Sequence, residues 1–417
     1  MRAPESSAVL APAERRSPGF LQGLALLLPI SLAVIGVSVF TATVALMREH
    51  FSHLPNGDYL VNLLQTMPGF WIVAFSPVAG WLTDRFGRRT ILIVAMIVYG
   101  IAGSAPFFLE NIYFILVTRC FVGMCEAVVL TNTTTMLCDF FHGRSRDRWI
   151  SGQTATASLS ALVIIWLGGV LGARFGWQGP FLVYLYSLLL TVGVVAFTWE
   201  PVAAYDESPD APAGGVRFHT LNWPRMAGIA AVTVFGSVCF YSTITQNAFA
   251  LVGLGVTDTN RIGELSSLAS LGVPIGTVLF WRLGRLPIGW LLAVDFLLVA
   301  AGFMGMSRAT TPSAYTWAAN VQQIGCGLVL PTLLVWATQG LAFGIRGRAT
   351  GIWQGAFGVG LFISGALLTF LGKRNGGLPH AFAILGAACL VAAAAAVIVA
   401  LASSGKRQPG QGKAVVL

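Results

Sequence analysis

An arginine and a glutamate seven residues apart, Arg119 and Glu126, sit inside a mostly apolar run over 113–138. On a helix that spacing is nearly two turns, so both side chains share one face, with Gly123 between them. A charge at bilayer depth is expensive, so its presence there points to function. The chemistry on offer is proton uptake and release by Glu126, tuned by Arg119. The alternative is a buried ion pair that fixes helix packing. The sequence holds no P-loop, no metal-ligand spacing and no nucleophile constellation, so neither ATP-driven work nor an enzyme nor a cofactor is supported.

The second chemical stretch is Gly80-Trp81-Leu82-Thr83-Asp84-Arg85-Phe86-Gly87-Arg88-Arg89-Thr90, between two apolar runs. It joins an acid, three arginines and a turn glycine. A carboxylate at Asp84 can face the N-terminus of a neighbouring helix, a contact worth roughly 0.3–1 kcal/mol. Gly80 would allow close helix approach, and Gly87 would allow the turn.

These residues need a membrane scaffold. Charged residues are 10% of the chain and hydrophobic ones 56%. The apolar runs are near 20 residues long, enough to cross a bilayer as helices, and no alternating ten-residue pattern suggests a β-barrel. The expected fold is all-α, with twelve transmembrane helices at about 21–47, 60–82, 91–109, 113–138, 150–172, 180–199, 227–250, 263–281, 287–306, 314–337, 352–372 and 380–402. Residues 1–20 and 403–417 read as polar tails. Residues 200–226, with four prolines and a Gly-Gly, read as a linker between six-helix bundles at 21–199 and 227–402. No cleaved signal is expected.

With the N-terminus inside, the cytoplasmic segments carry 18 Lys/Arg and the outer loops six, so both termini are expected in the cytoplasm. The net charge of +9 is scattered one to three per loop, which argues against nucleic acid. The six cysteines lie mostly in apolar runs without paired spacing and read as small fillers. Asp139 is expected to pair with Arg144 or Arg148 in the following loop.

Pro77 and Leu82–Arg88 recur 197 residues later as Pro274 and Leu279–Arg285, with Arg85-Phe86-Gly87-Arg88 becoming Arg282-Leu283-Gly284-Arg285. Parallel repeats related by an axis along the membrane normal place a substrate site at mid-membrane between the halves.

Seven residues of the hinge, Gly80, Leu82, Asp84, Arg85, Gly87, Arg88 and Arg89, match G-x-L-x-D-R-x-G-R-R. In this the chain resembles the major facilitator superfamily of transporters, and among them the drug/proton antiporters. Arg119, Gly123, Glu126 and Ala127 followed by Asp139-Phe140-Phe141 are similar to the spinster-type branch, over about thirty residues. The resemblance implies two pseudo-symmetric six-helix halves. It implies a one-sided latch of Gly80, Asp84, Arg85, Gly87, Arg88 and Arg89 against the eleventh span near Gly351. Spans one, four, seven and ten would line the cavity, offering Phe40, Asn132, Tyr241, Gln246, Trp317, Asn320 and Gln323. Such a lining of amides, hydroxyls and aromatics suits an uncharged or cationic amphipathic ligand. Asp295, on the peripheral ninth span, would hold a structural hydrogen bond. Two departures weigh against proton antiport. Ile164-Ile165 stands where Gly-Pro would precede Gly168-Gly169, and span one has no acid.

The function expected is a secondary transporter, a proton-coupled exporter of small organic molecules in a bacterial inner membrane, working as a monomer. A metabolite importer or uniporter is the alternative within transport. A lipid-handling protein or a non-transporting membrane sensor is the alternative outside it.

Overall fold

The computed structural model describes residues 18–200, 222–339 and 343–404. The side chains of Asp84, Asp147, Thr154 and residues 343–348, 403 and 404 lie outside that description. So do the tails 1–17 and 405–417 and residues 201–221, where most of the expected linker falls.

Eleven helical stretches among the described residues are long and apolar enough to cross a bilayer. One of them, Gly143–Phe197, contains two spans. Its first helix ends at Phe175, and the chain turns at Gly176 with a φ of 69°. The 3-10 segment Gly176–Leu185 then packs back on that helix and leads into Tyr186–Phe197. The twelve expected spans are therefore all present, and the described residues contain no strand.

The second to fourth spans are Gly57–Phe86, Arg88–Ser104 and Ile112–Phe140. The seventh is Trp223–Gly253, the ninth Ile288–Arg308 and the tenth Pro312–Thr338. The eleventh is Phe343–Arg374 and the twelfth Leu378–Ser404. The first and eighth are not the continuous helices expected. The first is three helices, Phe20–Leu27, Ile30–Ser38 and Val44–His50. Pro29 lacks the N–H that would continue the ladder at the first break. The second break, 39–43, is a run of tight turns such as Thr43 N–H to Phe40 C=O at 2.9 Å. The eighth span divides at Leu271 into Thr259–Ser270 and Gly272–Leu283, three residues before Pro274.

Since the spans alternate, the two ends of the described chain share one face, here called the terminal face. The loops at 51–56, 254–258 and 375–377 share the other, the distal face. The halves meet along two seams, the second span against the eleventh and the fifth against the eighth. The 197-residue repeat maps the second span on the eighth and the fifth on the eleventh, so the repeat exchanges one seam for the other. Small residues let the backbones approach, as expected where lipid offers no hydrophobic drive to associate. A Cβ built on Gly169 would lie 2.8 Å from Gly263 Cα and 3.1 Å from Thr259 O. Gly69 packs on Leu361 and Gly358 on Val73.

Both seams close only toward the distal face. Asn62 donates to Thr369 at 2.9 Å, and Ser267 to Leu162 O at 2.9 Å. Toward the terminal face the helices part. A Cβ on Gly80 or on Gly351 would meet nothing within 4 Å. The close helix approach expected at Gly80 is therefore absent in this conformation.

Candidate functional site: a buried carboxylate at the centre of the bundle

Glu126 is completely buried. Its room comes from the first span, since a Cβ on Gly36 would overlap its carboxyl. Tyr99 of the third span donates its hydroxyl to Leu32 O at 2.6 Å and lies 3.4 Å from Glu126 Oε1. The other carboxyl oxygen, Oε2, has no hydrogen-bond partner.

Arg119 is equally buried but makes no ion pair with Glu126. Two structural features divert it. The break in the first span drops the Phe40 ring beneath the guanidinium at 5.7 Å, and the 3-10 segment brings Phe181 and Tyr184 to 5.1 and 4.8 Å. The guanidinium donates to Tyr184 Oη at 2.8 Å and to Gly103 O at 3.1 Å. Tyr184 in turn packs on Tyr99 with ring centroids 5.1 Å apart. The arginine thus reaches the glutamate through two tyrosines. Gly123, between them in sequence, packs on the Pro68 backbone. Removing Arg119 would strip donors from Tyr184 and Gly103 and leave a cavity among three rings. Arg119→Ala is expected to cost about 3 kcal/mol or more, read as a lower melting temperature in detergent. An unchanged melting temperature would contradict this account of the cage.

The residues around Glu126 converge on Gly36 and Val37. Gln65 donates to Val37 O at 3.0 Å and leaves its own Oε1 unpartnered. Val37 packs with Ile244 and Leu361, flanked by Phe240 and Tyr241. Phe357 stacks on Trp353 and touches Tyr241 at 5.4 Å, and the Trp353 indole N–H is unpartnered. Gln323 also leaves an oxygen free beside Phe240. Two free amide oxygens and an aromatic wall thus gather where the halves meet, and the Glu126 carboxyl lies behind Gly36, next to Val37 of that interface.

Other expected cavity residues fall elsewhere. Phe40 is the floor of the arginine cage. Asn132 accepts from Thr83 at 2.9 Å, joining the second and fourth spans. Gln246 reaches Asn62 at 3.3 Å in the distal seam. Asn320 donates to Leu268 O at 2.9 Å and ties the tenth span to the eighth. Trp317 is 72% exposed, on the side of its helix away from buried Ala319, Gln322 and Cys326, near the distal end. It faces the surroundings of the bundle, where tryptophans collect at a membrane interface.

At the hinge, Gly87 takes φ 90° and both ends one helix and starts the next. The Glu200 carboxylate accepts from the N–H groups of Arg88 at 2.5 Å and Arg89 at 3.0 Å, capping the third span. Arg88 pairs with Asp139, which corrects the partners expected in the next loop. The difference is one of folding: the hinge crosses over the end of the fourth span before that loop begins. Arg89 donates to Val195 O at 2.8 Å, and Arg85 lies over the Trp81 and Phe86 rings. Asp295 is fully buried in the ninth span, with the Thr332 hydroxyl of the tenth span as its side-chain partner.

Tyr99, Tyr184 and Gly36 were missed in the sequence. Each stands in a run of apolar residues with nothing in its spacing to mark it. Trp353 was placed only as the start of the eleventh span.

A model of the Major Facilitator Superfamily matches residues 26–342. A probable sugar efflux transporter of Mannheimia succiniciproducens is 21% identical over 335 residues, covering 77% of this chain and 81% of that one. The bacillibactin exporter of Bacillus subtilis is 23% identical over 343 residues, covering 74% and 79%. Among solved structures, a D-xylose-proton symporter aligns with TM-score 0.78 at 14% identity, covering 90% of this chain and 97% of that one. A bacterial homolog of the human lysosomal transporter Spinster, inward-facing and occupied, aligns with TM-score 0.72 at 18% identity, covering 93% and 98%.

Proposed function

The chain belongs to the Major Facilitator Superfamily and is a multi-pass membrane transporter, and from that premise we propose that it exports small organic molecules in exchange for protons. The observation that carries the reading is Glu126: a fully buried carboxyl with a free oxygen and no cation bonded to it, packed behind Gly36, whose neighbour Val37 meets Ile244 and Leu361 of the other half. Such a group can hold a proton in one state and lose it when the cavity wets. The free amide oxygens of Gln65 and Gln323 and the wall of Tyr241, Phe357 and Trp353 suit an uncharged or cationic amphipathic molecule. The names of the two relatives above, an efflux transporter and an exporter, favour the outward direction.

The positive-inside bias supports a cytoplasmic terminal face, and the bacterial relatives support an inner membrane. Seams closed at the distal face and parted at the terminal face are then an inward-open state. Alternating access would part the distal seams and close the terminal ones, and the protein would act as a monomer with two bundles joined by the 200–226 linker. In the outward-open state Asp84 would face the start of the eleventh span, while Arg85, Gly87, Arg88 and Arg89 hold the hinge in shape. Asp84→Asn should then raise labelling of cytoplasm-side cysteine probes in the resting protein. Unchanged labelling would remove the latch.

A uniporter or importer remains the second reading, favoured by Ile164-Ile165, which are buried where a helix-bending Gly-Pro would stand. A dye-efflux and susceptibility panel in a pump-deficient bacterium tests between them. An exporter protects the cells, and its protection collapses when the pH gradient is dissipated. Protection that survives dissipation, or no protection against any compound, overturns the proposal.

A further inference from the structure

Beside the distal end of the second–eleventh seam lies a groove of about 240 Å³ that the transport mechanism does not use. Leu63, Phe362, Ile363, Ala366 and Leu367 give it apolar walls, with Tyr59 at the rim. Ile363 and Ala366 are exposed on the flank of the bundle, so the groove is open from the surrounding hydrocarbon. A helix, about 10–12 Å across with its side chains, is too thick for it, while part of one acyl chain fits.

The rim is charged. Asp58 accepts from Arg48 of its own half at 2.5 Å and from Lys373 of the other half at 2.6 Å. The Lys373 ammonium also sits 4.9 Å over the Tyr59 ring, at the mouth of the groove. Lys373 is half exposed, and Arg374 beside it is exposed and in no ion pair among the described residues. Asp58 is thus held twice, and it keeps Arg48 if Lys373 leaves. Lys373 holds only that one carboxylate, and together with Arg48, whose guanidinium lies 5.1 Å over the Phe249 ring of the other half, it ties the two halves at the rim.

We propose that this groove binds an anionic phospholipid of the outer leaflet, one acyl chain lying along Ala366 and the phosphate taking Lys373 from Asp58, so that the bound lipid loosens the distal gate. The chemistry at the two ends agrees: hydrocarbon walls below, and two cations at headgroup height above. A second protein copy would not meet both. The placement in the outer leaflet rests on the orientation given under the proposed function. Lipid retention and gate opening are read below without transport, so they can fail while that reading stands, and the reverse.

The test compares the full chain in nanodiscs of phosphatidylcholine alone and of phosphatidylcholine with phosphatidylglycerol. Native mass spectrometry reads retained lipid, and hydrogen–deuterium exchange reads peptides covering 48–62 and 368–378. Phosphatidylglycerol should stay bound and speed exchange in both peptides about two- to fivefold, the range in which one exposed ion pair shifts a two-state equilibrium. Lys373→Gln should exchange fast in either lipid. Ala366→Trp fills an exposed groove position without touching the core, and should abolish both retention and response. The proposal is overturned if Ala366→Trp responds like wild type or if phosphatidylglycerol leaves wild type unchanged. Opening by glycerol phosphate, a headgroup with no chain, at equal concentration overturns it as well.

Discussion

Glu126→Gln should reduce gradient-driven efflux to the level of cells lacking the protein, at equal membrane expression. The substitution keeps shape and volume. The Tyr99 hydroxyl still finds an oxygen, and Gly36 still gives room. What is lost is the capacity to bind and release a proton behind Gly36, one residue from the Val37 contact between the halves. The tyrosines that separate Glu126 from Arg119 sharpen the expectation, because the carboxyl is not already committed to a salt bridge. A buried ion pair broken on one side would instead destabilise the protein by several kcal/mol. Folding and function are therefore separable here: the variant should keep its melting temperature, lose uphill efflux, and still exchange labelled for unlabelled substrate across the membrane. Efflux at the wild-type level would move the coupling site elsewhere and leave Glu126 as packing.

The second large effect is steric. Gly169→Val should hold the distal seams apart. The new Cβ would stand 2.8 Å from Gly263 Cα and 3.1 Å from Thr259 O, which are backbone atoms that cannot rotate away. Overpacking of this kind costs about 1–3 kcal/mol, or roughly 5- to 150-fold on the closing equilibrium. Each bundle's own core is untouched, because the collision exists only when the halves meet. Transport should fall by that factor. A cysteine at Thr43, buried on the distal side of the same seam, should become reactive to an impermeant maleimide added outside. Wild-type transport with a protected Thr43→Cys would mean that the fifth–eighth seam is not a gate.

The twelve spans and the 197-residue repeat were readable because span length and turn glycines are local signals. Gly87 at φ 90° is one, and the repeat also foretells that the two seams exchange. The burial of Arg119 and Glu126 could be read from their depth in an apolar run. Their partners could not. Seven residues put both on one face, but the break after Ser38 and the 3-10 segment at Gly176–Leu185 are tertiary adjustments that fill the space between with rings. Trp317 shows a second limit. In a soluble helix an apolar stripe marks the inside, but lipid is as apolar as a core, so a membrane helix carries little signal of which face is buried. The Asp58 bridge to Lys373 was invisible for another reason: its partners stand 315 positions apart on different halves.

The measurement closest to the central claim is proton movement driven by substrate. Purified protein in proteoliposomes, with a pH-sensitive dye inside and no imposed pH gradient, receives a compound that passed the efflux panel. The account gives a lumenal pH change that begins with substrate addition, scales with it, and vanishes in Glu126→Gln. Substrate entry with a flat dye trace in wild type would contradict proton coupling and leave a uniporter.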